Sequence, residues 1–104
     1  MDKKQFAKRL NELMDEKNVT ARELSLKVGK NSGYINSIIN GRSYPSMDGF
    51  FDICEELGIT PVDFFDTETR YPDMLNRMIP YFNKLNPKEF DNVFHLVEAI
   101  AKKN

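Results

Sequence analysis

The sequence predicts an all-α protein of seven helices. Apolar residues recur at spacings of three and four, the mark of one helical face. No stretch alternates β-branched with polar residues, and no Asn-Gly pair signals a hairpin. Gly29, Gly41 and Gly58 fall where helices would end, and Pro61 and Pro87 fall where helices would begin.

Each helix can be justified in order. Helix 1 covers about residues 3–17, with Phe6, Leu10, Leu13 and Met14 on one face. Thr20 caps helix 2, about residues 21–28, and Glu23 completes a capping-box pattern. Its inward stripe is Ala21, Leu24, Ser25 and Val28. Gly29 stops it, because glycine accepts the positive φ of a helix C-terminus. Asn31 caps helix 3, about residues 32–39, and Gly41 ends it. Ser46 caps helix 4, about residues 47–57, whose apolar face is Met47, Phe50, Phe51, Cys54 and Leu57. After Gly58, Thr60-Pro61-Val62-Asp63 opens helix 5 with a cap, a first-turn proline and an acid. Phe64 and Phe65 bury its far end.

Residues 66–71 form a polar hinge. Helix 6 covers about residues 72–85, and Pro80 within it predicts a kink or a split. Asn86-Pro87-Lys88-Glu89 opens helix 7, about residues 87–102, striped by Phe90, Val93, Phe94, Val97, Ile100 and Ala101.

Composition narrows the functions available. With 104 residues, the chain has room for one small domain and an extension. No apolar run approaches the roughly 20 residues of a bilayer-spanning helix. The charged start MDKKQFAKRL lacks a signal-peptide core, and the lone cysteine excludes an internal disulfide; both fit a cytoplasmic protein. Net charge is −1, but it is unevenly spread. Residues 1–42 hold nine Lys/Arg against five Asp/Glu, whereas residues 43–104 hold six against eleven. A polyanion would meet the N-terminal part.

Residues 19–41, VTARELSLKVGKNSGYINSIING, concentrate the functional signal. Two short helices meet at a tight turn, with Leu24, Val28, Ile35 and Ile38 between them. Such a pair presents its second helix as a rod that fits the DNA major groove, about 12 Å wide. With Ile35 and Ile38 inward, Gly33, Asn36, Ser37 and Asn40 point outward. Ser32, Tyr34 and Ile39 lie on the flanks. Lys17, Arg22, Lys27, Lys30 and Arg42 surround this face, opposed between residues 17 and 42 only by Glu23.

Residues 6–66 resemble the Cro/C1-type (XRE-family) helix-turn-helix domain of phage repressors and many bacterial regulators. The resemblance rests on the capped TARELSLKVG helix, the turn glycine Gly29, YINSIING followed by Arg42, the Pro45-Ser46 break, and ICEELGITPVDFF. It implies a five-helix, lambda-repressor-like domain over residues 1–66, with residues 67–104 as a helical extension. It implies binding to operator DNA, usually as a dimer. Base edges would be read by Ser32, Gly33, Tyr34, Asn36 and Ser37. The DNA backbone would be held by Asn40, Arg42 and Tyr44, with Arg22, Lys27 and Lys30 as the surrounding cations. Asn36 is the best reader, since an asparagine pairing bidentately with adenine gives about 1–3 kcal/mol of discrimination. The serines and glycine offer less.

Helices 6 and 7 either fold back on their own domain or pair with a second copy. The second reading makes Phe90, Val93, Phe94, Val97 and Ile100 a dimer interface. A twofold dimer would space two recognition helices about 34 Å apart, one DNA turn. The expected function is a homodimeric transcriptional regulator, a repressor, bound to a pseudo-palindromic operator. The alternative is an antitoxin-like or other protein-interaction module that keeps the fold with weak or no DNA binding. No enzyme is expected, because no phosphate-binding glycine loop, HExxH or nucleophile elbow occurs. No cofactor, metal, membrane or small-molecule partner is implied. Cys54 reads as a small buried hydrophobe, His95 as a surface or interface imidazole, and Leu26 as an ordinary exposed leucine.

Overall fold

The computed structural model describes residues 1–68 and 70–104. Its seven helices are α1 (Lys3–Lys17), α2 (Ala21–Lys27), α3 (Tyr34–Ile39), α4 (Met47–Leu57), α5 (Pro61–Phe65), α6 (Pro72–Phe82) and α7 (Pro87–Lys103). No strand occurs among the described residues, so the all-α expectation holds. No helix among them is long and apolar enough to cross a membrane. The chain divides into two units, Met1–Glu68 and Thr69–Asn104. The predicted hinge spans 66–71, and its Thr69 lies outside the described residues.

In the first unit, α1 to α5 surround one core. Leu10, Leu24, Ile35, Ile38, Ile53 and Phe64 are at most 1% exposed. Phe6 and Phe50 pack on Phe64 at ring-centroid distances of 4.8 and 5.0 Å. Each such burial stabilises the fold by about 1.5–3 kcal/mol relative to exposure. The caps follow the sequence closely. Thr20, Ser46 and Thr60 accept the backbone N–H groups of Glu23, Gly49 and Asp63. At the end of α2, Gly29 adopts φ +75° while its N–H reaches the Leu26 carbonyl and that of Lys30 reaches Ser25. This paired closure ends the helix and turns the chain sharply toward α3. Gly41 repeats it after α3 with φ +74°.

Helix α3 begins two residues later than the sequence predicts. Asn31 is not its cap. Its Oδ1 accepts the Gly33 N–H at 3.0 Å, closing a local turn that consumes residues 31–33. The first turn of α3 is served instead by Ser25 of α2. The Ser25 hydroxyl accepts the Ile35 N–H at 3.0 Å and donates to the Ala21 carbonyl at 2.7 Å. Ser25 is fully buried, so this hydroxyl ties α2 to α3 inside the core. Ser25→Ala is expected to destabilise the protein by about 1–2 kcal/mol, since it strands a buried N–H. Urea unfolding of the full chain measures this; a loss below about 0.5 kcal/mol would mean the bond contributes nothing net.

The apolar face of α4 is rotated from its predicted position. Ile53 is in the core, whereas Met47 and Phe51 are 68% and 48% exposed. Phe65 is likewise 51% exposed, and only Phe64 seals the end of α5. Both corrections have one reason: α4 and α5 are clad by the other helices on one side only, and flanking apolar residues stay outside. Cys54 is buried at 2% exposure. Burial, and then the Asp63 carboxylate, push its thiol above the usual range, which keeps it protonated and unreactive.

In the second unit, α6 runs through Pro80 without splitting and ends at Phe82, short of the predicted residue 85. Pro80 sits in the last turn; lacking an N–H, it leaves the Asn76 carbonyl one turn back without its helical donor, and the helix ends two residues on. Residues 83–85 close in i→i−3 turns instead, with N–H groups of Lys84 and Leu85 reaching the carbonyls of Tyr81 and Phe82. Asn86 and Glu89 form the capping box of α7. Phe82 meets Phe90 edge-on at 5.8 Å, joining the two helices. Neither helix has a buried residue.

Candidate nucleic-acid interface

The α2–turn–α3 unit presents one face of α3 to solvent. Ser32, Gly33, Asn36 and Asn40 are exposed, and Ser37 is half-buried. Asn36 therefore stands near the middle of a small polar face, opposite Ile35 and Ile38, which lie in the core. Ile39 packs on the core from the flank. Arg22, Lys27, Lys30 and Arg42 are all exposed. The ion pairs among the described residues are Arg9–Glu12, His95–Asp91 and Lys102–Glu98, so none neutralises these cations. Lys30 Nζ lies 5.6 Å over the Tyr34 ring, which holds one cation above the start of α3.

Tyr34 itself is corrected. Its hydroxyl is turned inward against α4 and is buried with no hydrogen-bond partner among the described residues. From there it offers no polar atom to a base edge. Burial, and then the Asp52 carboxylate, raise its phenol above the ordinary range. Its seat exists because residue 49 is glycine: a Cβ there would stand 2.4 Å from the Tyr34 Oη. Tyr44, placed on the DNA backbone by resemblance, also has its hydroxyl engaged, donating to the Met1 carbonyl at 2.9 Å. Its ring meets Phe6 edge-on at 5.7 Å, bracing the loop after α3.

The charge around the face also differs from the linear count. Asp52, Glu55 and Glu56 of α4 border a shallow groove with Lys27, Val28 and Gly29. Counting along residues 17–42 misses these acids because α4 returns beside α2 only in space. Ser25 and Gly49 were missed as positioning residues for the same reason; their partners are ten and fifteen residues away. On α7, Phe90, Phe94, Val97 and Ile100 are 49–55% exposed, and Val93 is half-buried. His95 is exposed and lies 3.3 Å from Asp91, one turn back on the same helix.

Five helices with a short α2, a glycine turn and a solvent-facing α3 define a helix-turn-helix domain. The sequence profile of a helix-turn-helix domain matches residues 7–70, and the chain belongs to this XRE-type family. The chain is also similar to two solved structures of the clp gene regulator ClgR from Corynebacterium glutamicum. Both are 26% identical with a TM-score of 0.56 and cover 60% of this chain. The matched regions are 66% and 80% of those chains. No curated protein matches.

Proposed function

We propose that the chain is a DNA-binding transcriptional regulator that reads a pseudo-palindromic operator as a homodimer and acts as a cytoplasmic repressor. The reading rests on the solvent-facing side of α3: exposed Asn36 at its centre, with cations around it that pair with no acid. Membership of the helix-turn-helix family and the likeness to ClgR, described as a gene regulator, support it. Residues 1–66 would bind DNA and residues 67–104 would pair two copies through Phe90, Val93, Phe94, Val97 and Ile100. The half-exposed apolar side of α7 supports that pairing.

In this reading Asn36 contacts a base, with Ser32, Gly33 and Ser37 beside it. Arg22, Lys27, Lys30, Asn40 and Arg42 hold phosphates. Binding is strongly salt-dependent, because each phosphate contact releases counterions. Asn36→Ala is expected to lower affinity for a selected operator about tenfold, matching roughly 1–3 kcal/mol for a bidentate contact. Arg42→Ala should weaken all duplexes alike and flatten the salt slope by about one unit. Mobility shifts measure both, with circular dichroism as the folding control. Unchanged binding in both variants would refute the site.

The acids of α4 beside Lys27 favour one second reading, a protein-interaction module that keeps the fold. It predicts no binding to random duplex DNA even at low salt.

A further inference from the structure

We infer that Lys4 and Lys8 of α1 form a second phosphate-binding edge, at the opposite end of α3 from Lys27 and Lys30; this rests on the DNA-binding reading above. α1 and the end of α3 enclose a shallow groove of about 310 Å³, lined among others by Lys4, Lys8, Asn11, Asn40 and Gly41. Lys4, Lys8 and Asn11 are spaced four and three residues apart, so they stand one above another on the same side of α1. All three are exposed. No acidic residue lines the groove. Among the described residues, neither lysine is in an ion pair. The nearest acid along the helix is Glu12, one turn beyond Lys8; it lines the neighbouring groove with Lys8, and its ion pair is with Arg9 at 3.9 Å.

The position gives these lysines a specific ligand. The groove is continuous with Asn40 at the end of α3. α3 has six residues and is about 9 Å long, so it can lie across a major groove about 12 Å wide, with a phosphate strand beyond each end. Lys30, over the Tyr34 ring, marks one end of α3, and Lys4 and Lys8 border the other. The two edges therefore match the two strands, and the ligand of the α1 edge is the phosphodiester of the strand passing the end of α3. The first-turn and second-turn lysines of α1 thus act with the recognition helix, although nearly 30 residues separate them from it in sequence.

The test uses the full chain and a labelled random-sequence duplex, with fluorescence anisotropy between 50 and 200 mM salt. The double variant Lys4→Gln/Lys8→Gln should lower the salt slope by about 1.8, at roughly 0.9 per phosphate contact. The control Lys84→Gln/Lys88→Gln removes the same charge from exposed positions in the second unit and should leave the slope within about 0.5. A normal slope in the α1 variant, or an equal fall in the control, overturns the inference while leaving DNA binding in place. Failure of the unsubstituted chain to bind any duplex would overturn both readings. Circular dichroism checks that each variant keeps its helices.

Discussion

Replacing Arg9 by methionine is expected to destabilise the protein by about 3 kcal/mol, the largest loss foreseen for any one polar side chain in it. Arg9 lies in α1 but serves α5. Its guanidinium donates to the carbonyl of Phe64 and, through Nη2, to those of Asp63 and Asp66 at 2.7 and 3.0 Å. These carbonyls close a helix of only five residues, which has too few internal bonds to satisfy its own end. Hydrogen bonds from a charged donor are worth about 1.5–3 kcal/mol each, and here one cation serves three acceptors. The side chain is only 14% exposed, so water does not readily replace it. A domain of this size has about 3–10 kcal/mol in total, so the midpoint of thermal unfolding should fall by on the order of 10–20 °C. Arg9→Lys should be intermediate, because an ammonium lacks the planar fork that reaches several carbonyls at once. A methionine variant within about 0.5 kcal/mol of the parent would show that the three bonds only replace bonds to water.

The second large effect concerns Gly49. Helix propensity alone favours alanine over glycine by about 1 kcal/mol, so Gly49→Ala would be stabilising in an open helix. In this protein the new methyl would lie 2.4 Å from the Tyr34 hydroxyl and 3.2 Å from the Ser46 Oγ. The rigid phenol cannot fold away, so α3 must shift. Overpacking of this kind costs about 1–3 kcal/mol. The shift falls on the recognition helix, and DNA affinity should drop at least tenfold in protein that remains folded. Tyr34→Phe removes the clashing oxygen and leaves the ring carbon 3.6 Å from the new methyl, an ordinary contact. The double variant Tyr34→Phe/Gly49→Ala should therefore recover both stability and affinity. Tyr34→Phe alone should be neutral or slightly stabilising, because the hydroxyl it deletes is buried and unpaired. If Gly49→Ala raised stability, as propensity dictates, the seat would not constrain α3. Alkaline titration gives a second check. The folded phenol is held above 10.0, so the unfolded chain ionises first as pH rises past that value. Stability should then fall, and less so in Tyr34→Phe.

How much of the site could be read from the sequence depended on how local its cause is. The bounds of α4 and the start of α5 follow from caps and a glycine within a few residues, and they match; the bounds of α1 match from its apolar stripe. The start of α3 did not, since Asn31 has two local options and took the turn rather than the cap. Apolar spacing gave the stripe of α1 correctly because a long helix averages over four turns. On α4 the same spacing took in Phe51 and passed over Ile53, and the helices packed across it put Ile53 in the core.

The sequence by itself determined the helices, the capped and glycine-closed ends of α4, the glycine turn and the polar outward side of α3, because each depends on hydrogen bonds and side-chain periods within about one helical turn. Tertiary structure alone decided that Tyr34 turns its hydroxyl toward Gly49, that Ser25 serves the first turn of α3, and that Arg9 closes α5. It alone brought Lys4 and Lys8 beside Asn40. These pairings join atoms far apart along the chain, and the crossing of helices that sets their distances is fixed only when the shared core has formed.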